Sequence, residues 1–144
     1  MIRITATQIP QYWEIIKFTV KNSGYYSEVG LKECFNDLLY DLLNNKAQCF
    51  IKLNDKREIK ALHVTRVLYD KNHQVKYLQL NGMFAWETST PAEWVDDAKT
   101  VEAFAIAEGC AYISFDTNVE KIANAGIANG YKLAHSTFVF YLKD

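Results

Sequence analysis

The sequence predicts an α+β fold, with six to seven strands and about four helices, in one domain spanning residues 1–144. Three observations point there. The elements read in the order β-α-α-β-β-β-α-β-α-β, with room for one more strand at the end. Two turn signals in succession, Asn54-Asp55 and Asp70-Lys71-Asn72, join three strand candidates into an antiparallel meander. No repeat, low-complexity tract or Pro/Gly/Ser-rich linker interrupts the chain, whose only prolines are Pro10 and Pro91.

Each element has its own signal. Residues 2–6 alternate apolar and polar side chains, as a short strand does. Thr7 or Gln8 opens a helix with Pro10 in its first turn, and Asn22-Ser23-Gly24 stops it. A second helix runs from about Gly30 to Asn44, with Leu31, Phe35, Leu38, Leu39 and Leu42 along one face. The meander takes residues 47–53, 58–69 and 74–86. Thr90-Pro91-Ala92-Glu93 then starts a third helix as N-cap, first-turn proline and capping-box glutamate, and Gly109 ends it. Residues 110–115 are almost wholly apolar and read as a strand in the middle of the sheet. Asp116 to Asn118 can cap a fourth helix that Asn129-Gly130 stops. Residues 131–142 read as one or two strands, with His135-Ser136 as the break between them.

Composition excludes several classes. Hydrophobic residues make up 49% and charged residues 23%, which is globular and not disordered. Sixteen Lys and Arg against 17 Asp and Glu leave a net charge of -1, so no basic footprint for nucleic acid exists. No apolar run approaches the length of a membrane span and the N-terminus lacks an apolar signal core, so a cytoplasmic protein is expected. Cys34, Cys49 and Cys110 match no metal spacing and read as buried thiols. His63, His73 and His135 likewise offer no metal site.

In its order of elements, the chain resembles the GNAT family of N-acetyltransferases along nearly its whole length. The best local matches are Val101 to Thr117 (VEAFAIAEGCAYISFDT) and Ala128 to Lys132 (ANGYK). The resemblance implies a central mixed, mostly antiparallel sheet, acetyl-CoA as cofactor and a small-molecule or protein amine as acceptor. It places the cofactor on the backbone from Thr88 through Ser89, Thr90 and Glu93 to Trp94, and on Asn118, which serves equally well as a helix cap. The family's general base maps to no carboxylate on the last strand of the meander, where Gln79 and Asn81 stand; Glu87 or His63 is the candidate. Tyr25 and Tyr26 fall where such enzymes build the acceptor site.

The departures matter as much. Family enzymes hold the pyrophosphate with a glycine-rich loop before the third helix. Residues 85–93 contain no glycine and no basic residue, while Glu87, Glu93, Asp96 and Asp97 bring negative charge. No tyrosine stands before the Gly-aromatic step to protonate the departing thiolate. The eroded loop resembles that of small GNAT-like bacteriophage proteins, which implies an alternative: a non-catalytic protein that is virion-associated, serves morphogenesis or interacts with the host, in an infected cell. An open sheet edge would be its contact. Tyr77, Phe84, Trp86 and Trp94 line either a pocket, a partner surface or the core. A Ser114, Asp116 and His135 triad and a Cys110 with His135 pair are the weakest readings, since Ser114 sits in no nucleophile elbow.

Overall fold

The computed structural model describes residues 1–23, 29–117 and 119–142. Among them the elements are β1 (Ile2–Ile4), a 3-10 turn (Ala6–Gln8), α1 (Ile9–Asn22), α2 (Leu31–Leu43), β2 (Ala47–Leu53), β3 (Ile59–Asp70), β4 (Val75–Ala85), α3 (Pro91–Ala107), β5 (Cys110–Phe115) and α4 (Glu120–Ala128). The strands form one mixed sheet in the order β1-β2-β3-β4-β5. The first four are antiparallel neighbours, and β5 joins β4 in parallel. A parallel neighbour needs a crossover, and α3 supplies it.

The local signals explain the boundaries. Thr90 Oγ1 accepts the Glu93 N–H at 3.2 Å, which caps α3 as its sequence predicts. Gly109, at φ +78°, takes the left-handed turn beyond α3, where a side chain would be strained. The expected cap of α4 at residues 116–118 shifts: Val119 is its N-cap, and Asn118 lies outside the described residues, as do Tyr25 and Tyr26.

Alternation along the strands divides the core between the two faces. Cys49, Ile51, Leu62 and Val64 face α1 and α2, where Ile16, Val20, Leu38 and Leu42 cover them. Phe50 and Leu78 face the other way, under Val101 and Ala105 of α3. Of the three thiols, Cys49 is buried and Cys34 and Cys110 are half-buried; burial pushes the Cys49 thiol far up.

Two expectations fail. Residues 131–142 form no strand and are exposed from Lys132 onward, so the sheet has five strands among the described residues and not six or seven. As a result β5 lies at an edge instead of in the middle, and Tyr112 on it is 40% exposed. The chain enters that final stretch at Tyr131, whose ring packs edge-on against Phe115 at 5.0 Å. Gly126 permits this approach: a Cβ there would sit 2.6 Å from Phe115 Cζ.

Leu38 is fully enclosed between α2 and the sheet. Truncating a buried leucine costs its transfer energy plus that of the cavity left behind. Leu38→Ala is expected to lower unfolding free energy by about 2–5 kcal/mol, measured by urea denaturation.

Candidate active site

The parallel β4–β5 pair is fastened at one end and open at the other. At the closed end Tyr77 and Tyr112 stack at 4.9 Å. The Tyr112 hydroxyl donates to Asp70 Oδ2 at 2.7 Å, and Lys76 Nζ donates to the Glu108 carbonyl at 2.6 Å. Asp70 also bonds His73 at 2.8 Å. The hydrogen bond from Tyr112, then that with His73, holds the Asp70 carboxyl down at about 2, while the Tyr112 hydroxyl is pushed up to about 12.

At the open end, pairing stops at Leu80 opposite Phe115, while β4 continues to Ala85. The ladder between β3 and β4 slips at the same point: Val64 faces Gly82 and Thr65 faces Leu80, which leaves Asn81 as an extra residue. Such a bulge bends a strand and frees backbone groups from the ladder. With its amide oriented to satisfy both ends, Asn81 accepts from Arg66 Nη1 at 3.1 Å and donates to Gln79. Arg66 is in turn held by Asp41 of α2 at 3.3 Å.

A narrow cleft of about 30 Å³ opens at this fork. Leu80, Asn81, Gly82 and Met83 form its β4 wall; Ser23, Asp116, Thr117 and Ile122 close it. Asp116 accepts a long 3.4 Å hydrogen bond from Gln79 Nε2 and, among the described residues, is the only titratable group on these walls. A broader groove of about 330 Å³ runs between α1 and α2, lined by Trp13, Lys17, Leu31, Lys32, Phe35 and Asn36. Its two lysines would repel a cationic amine, so the fork fits an amine better.

The candidates from sequence fall into separate places. Neither Glu87 nor His63 lines the fork. Glu87 is exposed and its carboxylate accepts from Asn54 Nδ2, at 2.7 Å, in the β2–β3 turn. His63 is half-buried, but its Nδ1 is shielded from solvent and has no hydrogen-bond partner. Burial holds its imidazole down at about 4, against the pull of Asp97 on α3, so it is neutral at pH 7. Thr88, Ser89, Thr90, Glu93 and Trp94 do gather at the start of α3, with Trp94 46% exposed. The aromatic set divides: Phe84 and Trp86 pack with Phe18 of α1 at 4.9–5.9 Å, and Tyr77 belongs to the closed end of the pair. Among the described residues, no hydrogen bond joins His135 to Ser114, Asp116 or Cys110.

Charge at the start of α3 differs from the sequence expectation. Glu93 takes Lys60 at 2.7 Å and Lys52 at 3.1 Å. Asp97, buried, takes Lys52 at 3.0 Å and the Met1 amino group at 3.9 Å. Three cations thus meet two carboxylates, and the region is not a bare negative patch. Lys60 reaches Glu93 because the β2–β3 ladder slips there: Lys52 faces Ala61 and Leu53 faces Ile59, leaving Lys60 unmatched. Asn81 and Asp116 were missed as site residues. The available signal was Gly82 inside a strand, a mark of a bulge or a close approach.

Together with Asp70, these groups make stability depend on acid pH. The Glu93 carboxyl is held at about 2 by hydrogen bonds from Lys60 and then Lys52. A depressed carboxyl adds stability above its ordinary value of 4.5, and that stability is lost as pH falls toward 2. His63 must stay neutral in the fold, so stability is also lost as pH falls from 6.5 toward 4. Urea titrations across this range are expected to show two components. His63→Gln should flatten the upper one, and Glu93→Gln should reduce the lower, to which Asp70 also contributes.

No protein-family model and no curated protein matches the sequence. Solved structures do match, over nearly the whole chain. A protein of Clostridium acetobutylicum described as a predicted acetyltransferase, solved with acetyl-CoA, has a TM-score of 0.73 at 14% identity, covering 97% of this chain and 94% of its own. The ribosomal-protein-alanine N-acetyltransferase of Brucella melitensis biovar Abortus 2308 has a TM-score of 0.63 at 8% identity, covering 97% of each chain. The aminoglycoside 6'-N-acetyltransferase AAC(6')-Ih of Acinetobacter baumannii has a TM-score of 0.62 at 16% identity, covering 99% of this chain and 97% of its own. At such identities the likeness is one of architecture: the chain has the fold of the GNAT acetyltransferases.

Proposed function

We propose that this chain is an acyl-CoA-dependent N-acetyltransferase with an atypical pyrophosphate loop, acting on a small-molecule or protein amine. The fork between β4 and β5, with the Asn81 bulge at its mouth, is the observation that carries the reading. It is a narrow slot between two strand ends, with one carboxylate on its wall among the described residues.

Acetyl-CoA, when bound, supplies an acyl thioester that an amine takes up with release of the thiol. The chain's own part is to bind, orient and move a proton. Leu80, Met83 and Ile122 give the slot an apolar side that limits water beside the acyl group. A backbone N–H left unpaired by the bulge at Asn81 would serve as a donor where negative charge develops on a carbonyl oxygen. Asp116 draws a cationic amine to the mouth and receives its proton, directly or through water. We assign that role to Asp116 ahead of Glu87 and His63, because it alone of the three lines the slot.

The start of α3 fits the cofactor in part. Among the described residues, the N–H groups of Thr88, Ser89, Thr90 and Ala92 have no hydrogen-bond partner, so they are available to a diphosphate. Pro91 has no N–H, and that of Glu93 is taken by Thr90. Without glycine, side chains keep the backbone farther from a phosphate. Trp94 and Asn118 complete the proposed cofactor residues. A weak hold is the consequence.

A second reading rests on that same terminus. A helix start that caps itself and saturates its glutamate with two lysines suits a non-catalytic GNAT-like protein, of phage origin, that serves as a virion-associated, morphogenesis or host-interaction component.

Two measurements separate these readings. Acetyl-CoA at 100 times its dissociation constant is expected to stabilise the fold by about 2.7 kcal/mol, read as a rise in Tm. No rise at millimolar acetyl-CoA would remove the enzyme reading. Asp116→Asn is expected to lower kcat/KM for acetyl transfer by about 10²–10⁴. Unchanged activity in that variant would take the proton-transfer role from Asp116.

A further inference from the structure

A line of hydrogen-bonded side chains runs from α2 to the fork. Asp41 of α2 accepts from Nε and Nη2 of Arg66 on β3, each at 3.3 Å. Arg66 Nη1 donates to the Asn81 side-chain oxygen at 3.1 Å. Asn81 Nδ2 donates to Gln79 Oε1 at 3.3 Å and to the Gln79 carbonyl at 3.2 Å. Gln79 Nε2 then donates to Asp116 Oδ2 at 3.4 Å. Strand pairing brings these groups together: Arg66 stands opposite Gln79, and the bulge adds Asn81 beyond it. The middle of the line is shielded from water, with Asn81 5% exposed and the Arg66 side chain 16%.

The line has a direction, and Arg66 sets it. A guanidinium only donates, whereas a side-chain amide accepts at its oxygen and donates at its nitrogen. Asn81 therefore turns its oxygen to Arg66 and its nitrogen to Gln79. Gln79 meets that nitrogen with its oxygen, which leaves its own nitrogen for Asp116. A donor aimed at a carboxylate favours the ionised form, and that is the form able to take up a proton. Without Arg66 both amides are free to reverse, and Gln79 would then turn an oxygen to Asp116. A strut between α2 and β3 needs only the pair of Arg66 with Asp41. The third guanidinium nitrogen, spent on the bulge residue, links that pair to the slot.

We propose that Arg66 is a positioning residue for Asp116, acting through Asn81 and Gln79. It fixes the amide orientation that presents a donor to the carboxylate at the fork. The assignment rests on the reading of Asp116 as the proton acceptor.

Arg66→Met is expected to lower kcat for acetyl transfer by up to about 10²-fold, with KM unchanged. Combining it with Asp116→Asn is expected to be no slower than Asp116→Asn alone, because residues that act as a unit do not multiply their losses. Gln79→Leu leaves Arg66 and Asp41 paired, and is expected to give the same pattern should Arg66→Met fail to fold. Urea midpoints test the link to Arg66 without catalysis. The drop caused by Arg66→Met is expected to be larger in an Asn81→Asp chain than in the unaltered one, because the guanidinium there neutralises a buried carboxylate. Unchanged kcat in both single variants, losses that multiply with Asp116→Asn, or equal drops in urea midpoint would each overturn the proposal. An unaltered chain that transfers no acetyl group would instead remove the enzyme reading, and the urea midpoints would still decide whether Arg66 holds Asn81.

Discussion

The parallel pairing of β4 with β5 is the constraint on which the rest depends. It requires α3 as a crossover, and it ends at Leu80 and Phe115 while β4 continues. A ladder held at one end by Tyr112, Asp70 and Lys76 and broken at the other by a bulge cannot close uniformly. The slot at Asn81 therefore follows from strand lengths and register. It needs no separate device to hold it open.

The start of α3 shows how sequence position and local charge part company. Glu93 lies in the first turn of α3, where a carboxylate favours the macrodipole, and Asp97 one turn further on. Read along the chain, they form an acidic cluster. In space they are counter-ions to Lys52 and Lys60, which lie 30 to 45 residues earlier in the chain and arrive through the β2–β3 hairpin. The slip in register at Lys52 and Leu53 makes this pairing possible.

Much of the fold was legible because its signals are local. The Thr90-Pro91-Glu93 cap, the Gly109 stop, the leucine face of α2 and the two hairpin turns each act within a few residues, and each is where the sequence placed it. The site was harder to read because it is a matter of pairing. Asn81 becomes distinctive only when Thr65 and Val64 skip it, and Asp116 only when β5 ends beside β4. His63 has the chemistry of a base, yet its strand parity puts it under α3. The tail misled for a different reason: strand-forming composition states what a segment can pair with, not which edge it finds.

Gly126 has a consequence for how the domain can vary. Only a hydrogen fits between α4 and the Phe115 ring, and that ring seats Tyr131, where the chain turns outward. Alanine would favour the helix by roughly 1 kcal/mol, yet would push the aromatic hinge aside. A residue with no side chain thus sets the bearing of a segment that begins five positions later.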